Sequence, residues 1–444
     1  MKRLLALILA AVLLLPMVSA GAIEECHRVK VTKKDTTQKN KSIVRRWYVD
    51  TVLDSVDEEL GVIADEYVER LAPTLQKAGN NTSKNSRLDV VTRHSRTGLT
   101  WMSFLVQART TYHRDLIAQE IQSRTFDMTT GERIWLTDIF DAESQGWDIL
   151  EAAVREQATA YWPDVAPDAE ALEALCTRQA LSELDFTLHG MSLVLHIPAE
   201  KLYPGKTTLL EITLMYPDIR PYMTERAQVE TDNLSYYKTV ALTFDDGPSR
   251  TNTSLTLNAL TEVGARVTFF VIGNRIGEYD DLVQREHDEG HAVASHNWNH
   301  NNVSKTKAST LRAMVEKCDT AMIAAIGLPT RYNRVPYGLY NQMINAKTGW
   351  PLIQWSLDTY DWRGLSSAKV LSRVKNGISD GDIILCHDIK DNTPKSAKAI
   401  ANYLAEEGYI LLTIDELFAK DGVTLEGDRV YYRCVDGDTS IKKQ

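Results

Sequence analysis

From residue 239 onward the chain repeats one unit, a short apolar run of β type followed by an amphipathic helical stretch. The β-type runs fall at 239–244, 266–272, 352–357, 382–386 and 409–413. Between them, Leu257, Leu260 and Val263 share one helical face. Leu311, Met314, Val315, Cys318 and Met322 trace a longer stripe that stops at Gly327 and Pro329, and Val370, Val374 and Ile378 trace a third. Strands alternating with helices predict a parallel sheet or an α/β barrel. In that architecture chemistry gathers at the C-terminal ends of the strands.

Those ends carry ionisable groups. Asp245 and Asp246 follow the first run, before Gly247 and Pro248. Ser295, His296 and His300 follow a short apolar stretch at 292–294, and Arg334 opens an Arg-Val-Pro-Tyr-Gly segment. Asp358, Asp361 and Trp362 come after the run at 352–357, and His387 and Asp388 after the run at 382–386. Each has an ordinary explanation alone. Paired aspartates cap helices, a buried arginine makes a structural ion pair, and a strand-end histidine belongs to a core. Five successive loops delivering such groups to one face favour a shared site. His296 and His300 are spaced to share a helical face, and with an aspartate they can give a divalent ion three ligands. A carboxylate base and an imidazole acid beside such an ion suit metal-assisted acyl hydrolysis. No G-x-S-x-G elbow supports a serine hydrolase. The glycines at 273 and 277 lack the G-x-G-x-x-G spacing of a dinucleotide fold.

Residues 238–420 resemble the NodB-homology polysaccharide deacetylases, carbohydrate esterase family 4. Five segments carry the likeness in order: Thr243-Phe244-Asp245-Asp246-Gly247, then His296 with His300, Arg334 to Gly338, Asp361-Trp362, and Leu385-Cys386-His387. The resemblance implies a distorted (β/α) barrel of NodB type. It implies Asp245 as general base, with Asp246, His296 and His300 as ligands of a divalent metal. Zinc is the first expectation, and other divalent ions fit the same ligands. Arg334 would hold Asp245, and the Tyr337 backbone N–H would serve the oxyanion beside Pro336. Asp361 would orient His387, the general acid. Leu385 would line the acetyl pocket, with Pro336 and Trp362 also on the substrate side. Where the family usually has Ser or Thr after the first metal histidine, this chain has Asn297, whose amide is expected to brace the loop.

The N-terminal half reads as a smaller α+β domain at 23–225, because its strands and helices are grouped. Val56, Leu60, Ile63, Tyr67 and Leu71 predict a helix over 55–75. Hairpins are expected with turns at 95–98, 129–131 and Gly190, and helices over 143–160 and 168–183. A polar, pattern-poor stretch at 226–237 reads as a linker, and 421–444 as a C-terminal extension. Phe126-Asp127, Thr130-Gly131-Glu132, Leu136-Thr137-Asp138 and Phe140 resemble the accessory domain ahead of some exported peptidoglycan deacetylases. The likeness implies a glycan-positioning role.

Lys2 and Arg3, an apolar run at 4–18 and small residues at 19–22 read as a secretory signal over 1–22. The expected location is secreted or wall-associated, with an uncleaved anchor as the alternative and no spanning segment after signal removal. A formal charge of -10 disfavours nucleic acid as a partner. Five scattered cysteines form no C-x-x-C pair, so a structural zinc site is disfavoured, no disulfide is assigned, and Cys318 is expected as a buried thiol. The function expected is removal of N-acetyl groups from peptidoglycan, on N-acetylmuramic acid or N-acetylglucosamine. The alternatives are a chitooligosaccharide or acetyl-xylan deacetylase and an inactive wall-binding or sensing module.

Overall fold

A computed structural model describes residues 25–38, 41–77, 86–341 and 347–440, so the signal read at 1–22 lies outside the described residues. The N-terminal part opens with a six-stranded sheet, in sequence order: β1 (Lys30–Thr37), β2 (Ile43–Asp50), β3 (Arg87–Thr97), β4 (Trp101–Tyr112), β5 (Asp115–Asp127) and β6 (Arg133–Ile134). The β2–β3 pair is parallel because helix α1 (Asp54–Lys77) makes the crossover. The predicted 3.6-residue stripe holds: Val56, Leu60, Ile63, Tyr67, Leu71 and Leu75 pack on Leu88, Val90, Phe104 and Val106. Strand alternation turns Arg87, Asp89 and Arg93 to the opposite face.

A second core surrounds α2 (Gly146–Ala160) and an antiparallel sheet of β7 (Asp185–Leu188), β8 (Ser192–Pro198) and β9 (Leu209–Met215). The three expected hairpins form, but the first turns later than expected. Strand β3 runs through Thr97, and Gly98 to Thr100 make the turn. The helix expected over 168–183 is two pieces, Ala169–Leu175 and Arg178–Ser182. Thr177 caps the second piece by accepting from the Ala180 N–H.

The stretch expected as a linker is structured and partly buried. It forms α3 (Glu225–Glu230) and a 3-10 turn, Asn233–Ser235. The Glu230 carboxylate accepts from the Thr100 N–H at 2.8 Å and the Thr100 hydroxyl at 3.0 Å. Asn233 accepts from the Gly98 N–H and donates to the Gly190 carbonyl. The polar residues that hide a helical pattern are those that tie two hairpin turns together.

The C-terminal part has the expected parallel sheet, in the order β12 (Ala292–Ser295), β11 (Thr268–Val271), β10 (Lys238–Asp245), β15 (Asp382–His387), β14 (Leu357–Asp358). Strand β16 (Tyr409–Leu411) pairs with the start of β10. Helices α4 (Asn252–Glu262), α5 (Asp280–Asp288), α6 (Ala308–Ile326), α7 (Ser367–Gly377) and α8 (Thr393–Glu406) supply crossovers. Gly327 stops α6 with a left-handed φ of 86°, as its sequence signal predicts. The period of two decides what faces inward. Val240, Leu242, Phe244, Ile384 and Cys386 pack outward with helix residues such as Leu257, Val374 and Ile400. Ala241, Phe270, Ala294 and Ile383 fill the interior.

The run at 352–357 is not one strand. It splits into β13 (Leu352–Ile353) and β14, because the intervening residues change partners: Gln354 N–H donates to Tyr431 and Ser356 N–H to Ile383. Asn333 bridges β12 to β13, and β17 (Val430–Tyr431) pairs in parallel with β13. These pieces close a distorted barrel. All five cysteines are buried and none is in a disulfide, and Cys318 is fully buried. Among the described residues no helix is long and apolar enough to cross a membrane.

Gly98 has a φ of 55°, and a Cβ there would lie 1.3 Å from the Glu230 carbonyl oxygen. Gly98→Ala is therefore expected to lower stability by about 2–4 kcal/mol, read as a lower urea midpoint. An unchanged midpoint would show that the 98–230 contact contributes nothing.

Candidate active site

The inward parity of β10 and β15 brings two of the expected site residues together. Asp245 and His387 are direct register partners on adjacent parallel strands, which places their backbones about 5 Å apart. Each carries its own companion. Arg334 donates to Asp245 at 2.7 Å, and from the same nitrogen to the Thr243 hydroxyl at 2.7 Å. Its other nitrogens donate to the Ile353 and Gln354 carbonyls at 3.1 and 3.0 Å. Arg334 is fully buried over the Phe270 ring. Burial pushes its pKa down, and Asp245 pulls it back only in part.

His387 donates from Nδ1 to Asp361 at 2.7 Å, while the His387 backbone N–H donates to the second Asp361 oxygen at 2.7 Å. This grip leaves Nε2 of His387 outside the pair. Burial opposes a charge on His387. The Asp361 hydrogen bond and charge, then Asp245 and Asp246, outweigh it and raise the pKa above the ordinary histidine value.

Asp246, His296 and His300 form the third group. One ligand atom from each lies within 4.8 Å of the others. The Asp246 Oδ1 is 3.4 Å from His296 Nε2 and 3.0 Å from His300 Nε2. That oxygen is buried without a hydrogen-bond partner among the described residues. His296 donates from Nδ1 to the Arg334 carbonyl at 2.7 Å, so its Nε2 is the free donor atom. Burial raises the Asp246 carboxyl pKa, but the two histidines outweigh it and hold it well below the usual carboxylate range. An orphaned oxygen facing two imidazole nitrogens fits a borderline divalent cation.

The site is built on unusual backbone. Asp246, Asn297, Tyr337 and Tyr360 have positive φ values of 76°, 63°, 63° and 55°. They are four of the eight non-glycine residues so placed among those described. Each conformation costs on the order of 1–3 kcal/mol, and each adjoins a residue of the site. The expectation for Asn297 is corrected here: its side-chain amide makes no hydrogen bond among the described residues. Its backbone N–H braces the loop instead, donating to Ser295 Oγ and Asn333 Oδ1. Asparagine tolerates a left-handed backbone better than a β-branched residue does.

The remaining expected residues fall around this centre. Leu385 is buried on β15 and Pro336 is buried at the start of a 3-10 turn. Tyr337 and Trp362 are 60% and 46% exposed. The Tyr337 ring packs edge-on to His300, with centroids 4.5 Å apart. Sequence reasoning gave no role to Thr243, which lies two residues before Asp245 on the same inward face and helps seat Arg334. Nor does the sequence assign a role to Asp388, which follows His387 at the same strand end. That carboxylate lies against Gly247 and bonds to Thr253, and burial pushes its pKa up to about 7.

The family model described as polysaccharide deacetylase matches residues 235–349, the stretch holding Asp245, Asp246, His296, His300 and Arg334. The peptidoglycan-N-acetylglucosamine deacetylase PgdA of Listeria monocytogenes is 30% identical over 316 residues, 70% of this chain and 66% of that protein. The peptidoglycan-N-acetylmuramic acid deacetylase PdaC of Bacillus subtilis is 30% identical over 180 residues, 40% of this chain and 38% of that one. A chitooligosaccharide deacetylase of Bradyrhizobium is 35% identical over 161 residues, 35% of this chain and 73% of that one. The chain thus spans a little under two thirds of the length of its Listeria relative. On the family model, the relatives and the donor set together, the chain belongs to the polysaccharide deacetylase family.

Proposed function

We propose that this chain is an exported, metal-dependent hydrolase that removes N-acetyl groups from cell-wall peptidoglycan. The sugar is N-acetylmuramic acid or N-acetylglucosamine. The observation that carries the reading is the register pairing of Asp245 with His387, each with its own partner, beside the Asp246–His296–His300 donor set. Amide hydrolysis needs one proton removed from water and one delivered to the departing amine. Asp245 is the base: Arg334 aims it, and its second oxygen lies 3.9 Å from His296 Nε2 at the donor set. His387 is the acid, and Asp361 favours its protonated form. When bound, a divalent ion, zinc first, would polarise the acyl carbonyl and acidify the attacking water.

The Tyr337 backbone N–H serves the oxyanion, Leu385 and Pro336 shape the acetyl pocket, and Trp362 meets the glycan. Export rests on Lys2, Arg3 and the apolar run that follows, and the peptidoglycan relatives agree with it. Residues 23–225 act as an accessory unit that positions glycan for the domain at 238–420. A chitooligosaccharide or acetyl-xylan substrate is the competing reading.

Acetate release should be measured on peptidoglycan, chitooligosaccharides and acetyl-xylan, with divalent ions restored after chelation. Release from peptidoglycan that depends on the added ion is expected. Release from acetyl-xylan alone overturns the substrate assignment. Asp245→Asn should lower kcat by roughly 10²–10⁴-fold while calorimetry still detects zinc binding. Full activity in that variant removes Asp245 from the mechanism.

The acid role has its own pH signature. His387 must be protonated, and its pKa is raised, so activity is present below that pKa and is lost as pH rises through it. Asp361→Asn removes the partner that raises the pKa. The alkaline limb of kcat/KM should therefore move to lower pH. A limb that stays in place would assign the acid to another group.

A further inference from the structure

The face of the N-terminal sheet that turns away from α1 is not apolar. Alternation along β3 puts Arg87, Asp89 and Arg93 there, and Arg45 on β2 and Arg109 on β4 lie directly beside Asp89 in register. This face meets α4 and α5 of the barrel, and between them lies a cavity of about 370 Å³. Arg250 and Arg285 enter it from the barrel side, and Arg114 from the turn between β4 and β5. The volume falls within the range of small-ligand sites.

The charges do not balance. Arg87 and Arg45 share Asp89, although Arg45 also takes Asp35. Arg93 and Arg285 share Glu289. Arg109 pairs with Asp288 at 3.2 Å, and Arg250 with Asp281 at 2.5 Å. Arg114 is exposed and has no ion-pair partner among the described residues. Seven arginines therefore converge on five carboxylates, in a chain whose formal charge is -10. Every cation is arginine and none is lysine. The planar guanidinium suits bidentate recognition of phosphate or carboxylate. A contact serving only to join two domains would need no surplus of one sign, and desolvating it is costly.

We propose that this cleft is a binding site for a multiply charged oxyanion, a phosphate group or a pair of carboxylates, separate from the metal-donor site. It has a physical link to that site. The loop between β10 and α4 begins with Asp246 and ends near Arg250, so the anion is held at the far end of the loop that carries a metal-donor residue.

The test is calorimetric titration of the metal-loaded full chain with inorganic phosphate, and separately with succinate, at rising NaCl. One saturable site for at least one anion is expected, weakening as salt rises. The arm that gives the tighter binding identifies phosphate or carboxylate as the source. The double variant Arg87→Gln, Arg114→Glu should weaken that binding at least about tenfold, with acetate release within twofold of the parent. Arg114 makes no ion pair and Asp89 keeps Arg45, so the variant is expected to fold, which a thermal melt checks. Absence of saturable binding to both anions overturns the proposal. Binding unaltered by the double variant also overturns it, since that places the anion elsewhere, including on the bound metal.

Discussion

The buried pair of Arg334 with Asp245 organises the whole C-terminal part. An arginine with no exposed surface is costly unless its nitrogens find acceptors, and here all three nitrogens do, on β10 and in the β13 region. Its carbonyl in turn orients His296. One residue thus connects Asp245 to the Asp246–His296–His300 donor set and both to the barrel wall. Removing one partner of such a pair typically costs about 3–5 kcal/mol, so the geometry of the site and the stability of the barrel are parts of one interaction.

Much of this was legible in the sequence. The β-then-α repeat predicts the parallel sheet, and the period of two explains why Asp245 and His387 face the same interior. The residues of the five resembled segments do converge. What escaped is the irregular part of the barrel. Asn333 bridges two strands as a single residue, and the run at 352–357 changes partners midway. Neither leaves a periodic trace, because each involves too few residues to make a pattern. The segment at 226–237 escaped for the opposite reason. Its polar side chains are buried by hydrogen bonds to distant turns, so composition suggested solvent where the fold supplies partners.

The N-terminal sheet shows how one set of strands can do two jobs. Its α1 face is an ordinary apolar core. Its other face is lined with guanidinium groups, and the ladder Arg45–Asp89–Arg109 crosses three strands in register. In the barrel, four of the eight left-handed non-glycine residues described stand beside Asp245, His296, Pro336 and Asp361. A rigid scaffold that holds a strained rim is a common way to fix functional geometry.

Strand β17 has a consequence in time as well as in space. The Ile353 and Gln354 carbonyls that seat Arg334 lie at the end of β13 and just after it, and β13 pairs with Val430–Tyr431. Leu352 and Gln354 donate their N–H groups to Arg429 and Tyr431. A ribosome delivers those residues well over a hundred positions after Asp245. The wall behind the arginine is therefore completed only after those residues arrive. The N-terminal sheet can assemble before that, and the seat of Arg334 is completed after it.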